Sequence, residues 1–267
     1  MDIKKLTLIG GRGRNGQREP VGEVTLSMGD VVSIVGPTGC GKTTLINDVE
    51  LFADENTPSK RKVLINGVPS PEEFMYDPSR NPIALISQHT NFLSDLPVRA
   101  FLDTHARIRQ SRGSEEAVGE TIEFANQLTG EPIIMESAMT ELSGGQTRAL
   151  LIADAVIIGN SPIILLDEIE NAGIHRTKAL ELLRRYEKIF VFVTHDPRIA
   201  LLSDFRITMK GGAMQRVIVT GDEEKGVAAE LRKLDDLLVD FRNRIRDGEQ
   251  LTDKVLKDRL RALGYIA

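Results

Sequence analysis

Short, almost wholly apolar runs recur along the first 220 residues, and amphipathic stretches separate them. The runs 31–35, 83–87, 162–166 and 189–193 have the length and composition of buried strands. Further strands are predicted at 3–9, 21–26, 63–65, 205–209 and 215–219. Buried strands that alternate with helices predict an α/β domain, with a largely parallel sheet covered on both faces.

Helical periodicity replaces the strand pattern in the middle of the chain. Residues 99–110 and 115–128 place apolar side chains at helical spacing opposite charged faces. They predict a small helical insert, at about 90–140, whose phenylalanines and leucines form core. Further helices are predicted at about 145–158 and 175–186. The proline-rich segment 69–82 is predicted to be a surface loop.

The pattern changes again after residue 220. Residues 221–267 are polar and helical, and we interpret them as an extension to a first domain at 1–220. One apolar stripe runs along this extension and consists of Leu231, Leu234, Leu238, Phe241 and Ile245. We expect the stripe to pack on the body of the protein, and a dimer or partner contact is the alternative.

The composition of the 267-residue chain limits the partners and the cellular compartment that we expect for it. Acidic residues outnumber basic ones, 39 to 34, so the net charge of −5 argues against wholesale nucleic-acid binding and leaves room for a local patch. The one cysteine, Cys40, excludes an internal disulfide and suits a reducing compartment.

No apolar run approaches the roughly 20 residues of a membrane helix. Residues 1–5 lack the apolar segment of a signal peptide. We therefore expect a cytoplasmic protein, with a peripheral place at the inner face of a membrane as an option.

A phosphate-binding motif lies between a predicted strand and a predicted helix. It fits G-x-x-x-x-G-K-[ST] and consists of Gly36, Pro37, Thr38, Gly39, Cys40, Gly41, Lys42 and Thr43, with Thr44 following. Glycines let the backbone approach phosphate oxygens, and the helix N-terminus attracts anions. Lys42 is expected to reach the β- and γ-phosphates, and the Thr43 hydroxyl to bind Mg²⁺.

Four polar side chains follow the ends of other predicted strands, where ligands collect in parallel sheets. Asp167 is a candidate Mg²⁺ ligand, and the adjacent Glu168 can orient or deprotonate an attacking water. Gln88 is a neutral amide that can contact the metal or its water and act as a sensor. His195 is expected to hydrogen-bond the γ-phosphate and the Glu168 region.

A second anion site is predicted about a hundred residues after the first. Ser143, Gly144, Gly145 and Gln146 combine a hydroxyl, bare N–H groups and a helix start. One nucleotide rarely needs two such sites in one chain. Two chains that face each other head-to-tail do need them, because each completes the phosphate loop of the other.

Taken together, these motifs resemble the ATPase subunit of the ATP-binding cassette (ABC) family. The family elements occur in order as Walker A (36–43), the Q-loop (Gln88), the signature (142–146), Walker B (163–168) and the switch histidine (His195). The resemblance implies a P-loop NTPase fold: a RecA-like core, an antiparallel β subdomain and a helical subdomain. It also implies hydrolysis of ATP with Mg²⁺ in a dimer with a second copy or a paralogous cassette.

The chain departs from the family pattern in places. The adenine-stacking aromatic before Walker A is replaced by the Gly/Arg loop, residues 10–18, which leaves strict preference for ATP over GTP open. After Walker B, Ile174 stands where the family usually has an aspartate.

Two functions follow from the resemblance. The chain powers a transporter through a separate integral membrane permease, or it is a soluble ATPase that remodels a protein complex or acts on nucleic acid.

Overall fold

The computed structural model describes residues 2–77, 80–87, 90, 92, 94–109, 114–168 and 176–266. The chain divides into two compact units, Met1–Val219 and Thr220–Ala267. Gln88 and the segment 171–174, which the sequence analysis singled out, lie outside the described residues.

Two sheets organise the first unit. Its strands are β1 Lys5–Ile9, β2 Glu23–Ser27, β3 Val31–Val35, β4 Lys62–Ile65, β5 Val68–Pro69, β6 Ile83–Ile86, β7 Ile163–Asp167, β8 Ile189–Val193, β9 Phe205–Lys210 and β10 Ala213–Val219. The larger sheet has the order β10-β9-β3-β8-β7-β6, and β10 pairs antiparallel with β9 at one edge. The remaining pairs of that sheet are parallel, so the predicted parallel α/β core is confirmed.

Helices connect these strands and form the second unit. They are α1 Lys42–Glu50, α2 Glu73–Tyr76, α3 Val98–Ile108, α4 Ser114–Leu128, α5 Gly144–Val156, α6 Arg176–Leu183, α7 Pro197–Leu202, α8 Asp222–Arg246 and α9 Asp253–Ala262, with a 3₁₀ turn at Met139–Glu141. Among the described residues, no helix is long and apolar enough to cross a membrane.

Helix α2 corrects the prediction that residues 69–82 form a loop throughout. The helix follows Pro71, and it brings Phe74 into the core beside Phe52. The ring centroids of Phe74 and Phe52 are 5.8 Å apart. Burial of an aromatic ring therefore outweighs the turn signals of the flanking prolines, which dominate a local reading of the sequence.

The larger sheet is apolar on both faces because a separate core covers each one. Successive side chains of a strand point to opposite faces. Accordingly, Ile164 and Leu166 of β7 belong to the core beneath α3–α6, whereas Ile163 and Leu165 belong to the core beneath α1 and the smaller sheet. This double burial is the reason the strands read as continuous apolar runs.

The smaller sheet is antiparallel, with the order β2-β1-β4-β5. Strands β1 and β2 form the predicted hairpin, in which Lys5 pairs with Ser27 and Ile9 with Glu23. The Gly/Arg loop connects these two strands. Arg12 forms an isolated bridge with Arg18, so the hairpin partly continues into the loop.

Candidate nucleotide-binding and hydrolysis site

The phosphate loop follows the end of β3 and leads directly into α1. Gly36, Gly39 and Gly41 have φ angles of 154°, 74° and 102°, and Gly41 is the N-cap of α1. A Cβ atom on Gly36 would lie 2.4 Å from the Met209 carbonyl oxygen. Glycine is therefore required at Gly36 both for its backbone conformation and for the close approach of β9.

Lys42 lies inside this loop. Its side chain is buried, and Nζ donates hydrogen bonds to the carbonyl oxygens of Gly36 and Pro37 at 2.9 and 3.3 Å. Thr43 and Thr44 follow on the first turn of α1 and are exposed. An ammonium group, two accessible hydroxyls and the start of a nine-residue helix form a donor set that fits phosphate oxygens.

Three neighbouring strands bring the predicted carboxylates and histidine to the same edge of the sheet as the phosphate loop. Asp167 at the end of β7 is in register with Val193 of β8, and Val193 is in register with Ile34 of β3. The Thr194 N–H then donates to the Ile34 carbonyl oxygen at 3.2 Å. Asp167 is thus two strands from the phosphate loop, about 10 Å between backbones.

Glu168 and His195 contact each other directly. His195 Nε2 is 3.3 Å from Glu168 Oε1, and both side chains remain partly accessible. Glu168 has a φ of 50°, a conformation that is uncommon outside glycine, and its N–H donates to the Val193 carbonyl oxygen at 3.0 Å. The backbone therefore turns sharply after β7, and strain of this kind is concentrated at functional sites.

The signature segment caps α5. Ser143 Oγ accepts a hydrogen bond from the Gln146 N–H at 3.3 Å, and Gln146 Oε1 accepts one from the Ser143 N–H at 3.0 Å. This is a reciprocal capping box. The Gln146 amide also donates to the Pro132 carbonyl oxygen at 3.2 Å. Ser143 and Gly144 are exposed at the helix start, whereas Gln146 is engaged with its own chain.

Two contacts of the phosphate loop were not predicted from sequence. Arg14 of the Gly/Arg loop donates from Nη2 to the Gly39 carbonyl oxygen at 2.7 Å. The Gly212 N–H donates to the Cys40 carbonyl oxygen at 2.8 Å. The arginine-rich composition of the loop was noticeable in the sequence, but its position against the phosphate loop depends on how the two sheets meet.

A buried ionic cluster stabilises the segments that make these contacts. Arg61 forms ion pairs with Glu19 at 2.6 Å and with Asp48 at 2.8 Å. Arg61 Nη2 also donates to the Gly212 carbonyl oxygen at 2.7 Å. Burial alone lowers the pKa of the Arg61 guanidinium, but the hydrogen bonds and charges of Glu19 and Asp48 outweigh it and raise the pKa further. The cluster joins the Gly/Arg loop, α1 and the β9–β10 turn around a permanent charge.

Sequence comparison finds a family and a near full-length relative. The family model described as ABC transporter matches residues 22–171. An uncharacterized ABC transporter ATP-binding protein, MJ0121 from Methanocaldococcus jannaschii, is 50% identical over 254 residues, which cover 94% of this chain and 96% of that protein. The spermidine/putrescine import ATP-binding protein PotA of Lawsonia intracellularis is 29% identical over 72% of this chain, which spans about half (52%) of PotA.

Solved structures share the fold. The structure of cbiO1 from Clostridium perfringens, described as part of the ABC transporter complex cbiONQ, superposes with a TM-score of 0.61 at 20% identity and covers 89% of this chain and 99% of that one. A dimeric ATP-binding cassette, MJ0796 bound to ADP and Pi, gives a TM-score of 0.62 at 24% identity, covering 81% of this chain and 99% of that one.

Proposed function

The chain belongs to the ABC transporter family, and we propose that it hydrolyses ATP between two cassettes to power a membrane transporter. The contact between Glu168 and His195, at the sheet edge that carries the phosphate loop, is the observation on which the proposal rests. A carboxylate beside an imidazole at this edge supports a role for the pair in hydrolysis of the terminal phosphate.

Nucleotide binding is assigned to the loop and the first turn of α1. The N–H groups of Gly39 and of residues 41–44 and the Lys42 ammonium hold the phosphates, and Lys42 exchanges its loop carbonyl partners for phosphate oxygens. Pro37, Thr38 and Cys40 shape the turn. The hydroxyl of Thr43 and the carboxylate of Asp167 are oxygen ligands of the kind that Mg²⁺ prefers. Mg²⁺, when bound, neutralises charge on the β- and γ-phosphates.

Hydrolysis is assigned to Glu168 and His195. The Glu168 carboxylate orients a water molecule and accepts its proton as the water oxygen attacks the γ-phosphorus and the bond to ADP breaks. His195 holds Glu168 Oε1 from one side and donates to the γ-phosphate. Gln88 is proposed to contact the metal or its water, and this role stays a prediction because Gln88 lies outside the described residues.

The second anion site is proposed to act in the opposite cassette. Ser143, Gly144 and Gly145 lie at the N-terminus of α5 and would contact the γ-phosphate held by a second copy. Gln146 would support them by holding the start of α5 against Pro132. Such an arrangement makes the dimer depend on ATP, because the nucleotide lies between the two chains.

We further propose an integral membrane permease as the transport partner and the inner membrane surface as the site of action. The proposal is supported by family membership and by similarity to PotA, named for spermidine/putrescine import, and to cbiO1, part of a transporter complex. To test it, Glu168→Gln would be tagged and purified with MgATP from detergent-solubilised membranes and from the soluble fraction. A stoichiometric membrane protein supports the proposal. A soluble enzyme or ribonucleoprotein alone would favour the remodelling alternative.

The assignment of hydrolysis is tested by steady-state ATPase rates and by nucleotide titration calorimetry. Glu168→Gln removes the proton acceptor, so we expect ATP turnover to fall at least about 100-fold while ATP affinity is kept. Glu116→Gln is the matched control, because Glu116 is an exposed residue of α4. Equal rates for Glu168→Gln and Glu116→Gln would refute the role given to Glu168.

A further inference from the structure

Helix α8 carries an apolar stripe of which four residues are exposed and two are partly buried. The α8 stripe consists of Val227, Leu231, Leu234, Leu238, Phe241 and Ile245, spaced alternately by four and three residues. Val227, Leu234, Leu238 and Ile245 are 49%, 39%, 58% and 61% exposed. This spacing is the heptad repeat of a two-stranded coiled coil, in which Leu231, Leu238 and Ile245 occupy the a positions.

Two polar contacts join α9 and the residues after it to a different side of α8. Arg259 pairs with Asp240 at 3.1 Å, and the Tyr265 hydroxyl donates to Glu230 at 3.2 Å. Asp240 and Glu230 lie outside the a and d positions of α8. Both of these contacts therefore use positions outside the α8 stripe.

The two ends of α8 carry opposite charges, so they complement each other when one of two copies is reversed. Asp222, Glu223 and Glu224 form the first turn, whereas Arg244 and Arg246 lie in the last turn. In an antiparallel pair, the acidic start of one helix lies beside the basic end of the other. A parallel pair would place like charges together at both ends. The distribution also follows the helix dipole, so it stabilises each helix by itself.

The register of the stripe is self-complementary in the same orientation. An antiparallel coiled coil pairs a with d positions. Reversal about a point near Asp236 places Val227 opposite Ile245, Leu231 opposite Phe241, and Leu234 opposite Leu238. Every residue of the stripe is therefore opposite an apolar residue of an identical helix. A closed two-fold interface requires such self-complementarity. The 25 residues of α8 extend over about 37 Å, enough for three such layers on each side of the axis.

We propose that α8 pairs antiparallel with α8 of a second copy of this chain, across a two-fold axis near Asp236. This contact is independent of nucleotide and differs from the ATP-dependent contact proposed above. It keeps two cassettes associated after hydrolysis. The phosphate loop of one copy therefore stays at a high local concentration relative to the signature segment of the other copy.

The association is tested by sedimentation velocity of the full chain without nucleotide. We expect a dimer at micromolar concentration, and we expect Leu234→Glu/Leu238→Glu to weaken it at least about 100-fold, because four glutamates would meet at the centre of the pair. Asp236→Asn, on the opposite side of α8, is the control that keeps the dimer. Circular dichroism verifies that the variants keep the helix content of the wild type.

Cysteine cross-linking tests the orientation. Cys40 is buried and is the only cysteine in the chain, so new cysteines can be introduced singly. A mixture of Leu234→Cys and Leu238→Cys chains should form a disulfide between the two variants. Preferential disulfides within either variant alone would indicate parallel pairing and overturn the proposal.

The outcomes separate this proposal from the proposed ATPase cycle. A wild-type chain that is monomeric without nucleotide, or a glutamate variant that stays dimeric, overturns the α8 contact. In either case, ATP-dependent dimerisation of Glu168→Gln can still be observed and would leave the hydrolysis assignment standing. Loss of the ATP-dependent dimer with retention of the nucleotide-free dimer would instead count against the head-to-tail site.

Discussion

Replacing Arg61 by methionine should destabilise the protein severely, because two buried carboxylates depend on it. The Arg61 side chain is 1% exposed, and its partners Glu19 and Asp48 are 0% and 3% exposed. Arg61 donates to both oxygens of Glu19, to Asp48 and to the Gly212 carbonyl oxygen. Methionine preserves most of the side-chain length and none of these hydrogen bonds, so both carboxylates lose their counter-charge.

The magnitude follows from the burial of the partners. Removing one partner of a buried ion pair costs about 3–5 kcal/mol, because the other charge stays buried without compensation. Glu19 keeps the N–H groups of Gly11 and Met214 as donors, and Asp48 keeps the Ser59 hydroxyl, so the lower part of this range applies. A loss of about 3 kcal/mol is a large share of the 5–15 kcal/mol typical of a folded domain.

Urea denaturation followed by circular dichroism measures this loss. The matched control is Arg80→Met, because Arg80 pairs with Glu73 while the two side chains are 61% and 49% exposed. An exposed pair contributes about 0–1 kcal/mol, so the control should unfold near the wild-type midpoint. If Arg61→Met and Arg80→Met lower the free energy of unfolding by similar amounts, the cluster around Arg61 is not the support described here.

Three further predictions concern the phosphate loop and a buried lysine. Lys42→Ala should abolish ATP binding in a calorimetric titration, because it removes the only ammonium inside the loop, and unchanged affinity would contradict the assignment. Gly36→Ala should also lose ATP binding, since its Cβ would meet the Met209 carbonyl oxygen at 2.4 Å, whereas Gly119→Ala, with open space around its Cβ, should be neutral or stabilising by about 1 kcal/mol. Burial lowers the pKa of Lys188 from 10.5 to about 8. The unfolded chain therefore binds more protons between pH 8 and 10.5, and Lys188 should raise the free energy of unfolding by about 3 kcal/mol across that window. The difference between wild type and Lys188→Met in urea denaturation at pH 7.5 and pH 10.5 measures this rise, and a constant difference would refute it.

Much of the architecture could be predicted from the sequence because the signals are local. Strands β3 and β8 begin and end where the apolar runs predict, since both faces of the sheet are buried and apolar residues are favoured along them. Lys42 and the phosphate loop were recognisable for a similar reason, because a strand, a glycine turn and a helix start occupy one short segment. The polar residues after strand ends likewise predicted that Glu168 and His195 lie at one edge of the sheet.

The tertiary structure decided the contacts that join distant segments. Arg61 lies 42 residues from Glu19 and 151 from Gly212, and no periodicity connects such positions. The contact of Arg14 with Gly39 and the positive φ of Glu168 likewise depend on how strands from separate parts of the chain are placed side by side. Periodicity identified an apolar stripe on α8, but not whether other residues cover it. Local patterns determine secondary structure, whereas the partners of a buried charge or an apolar face are determined by packing across the whole fold.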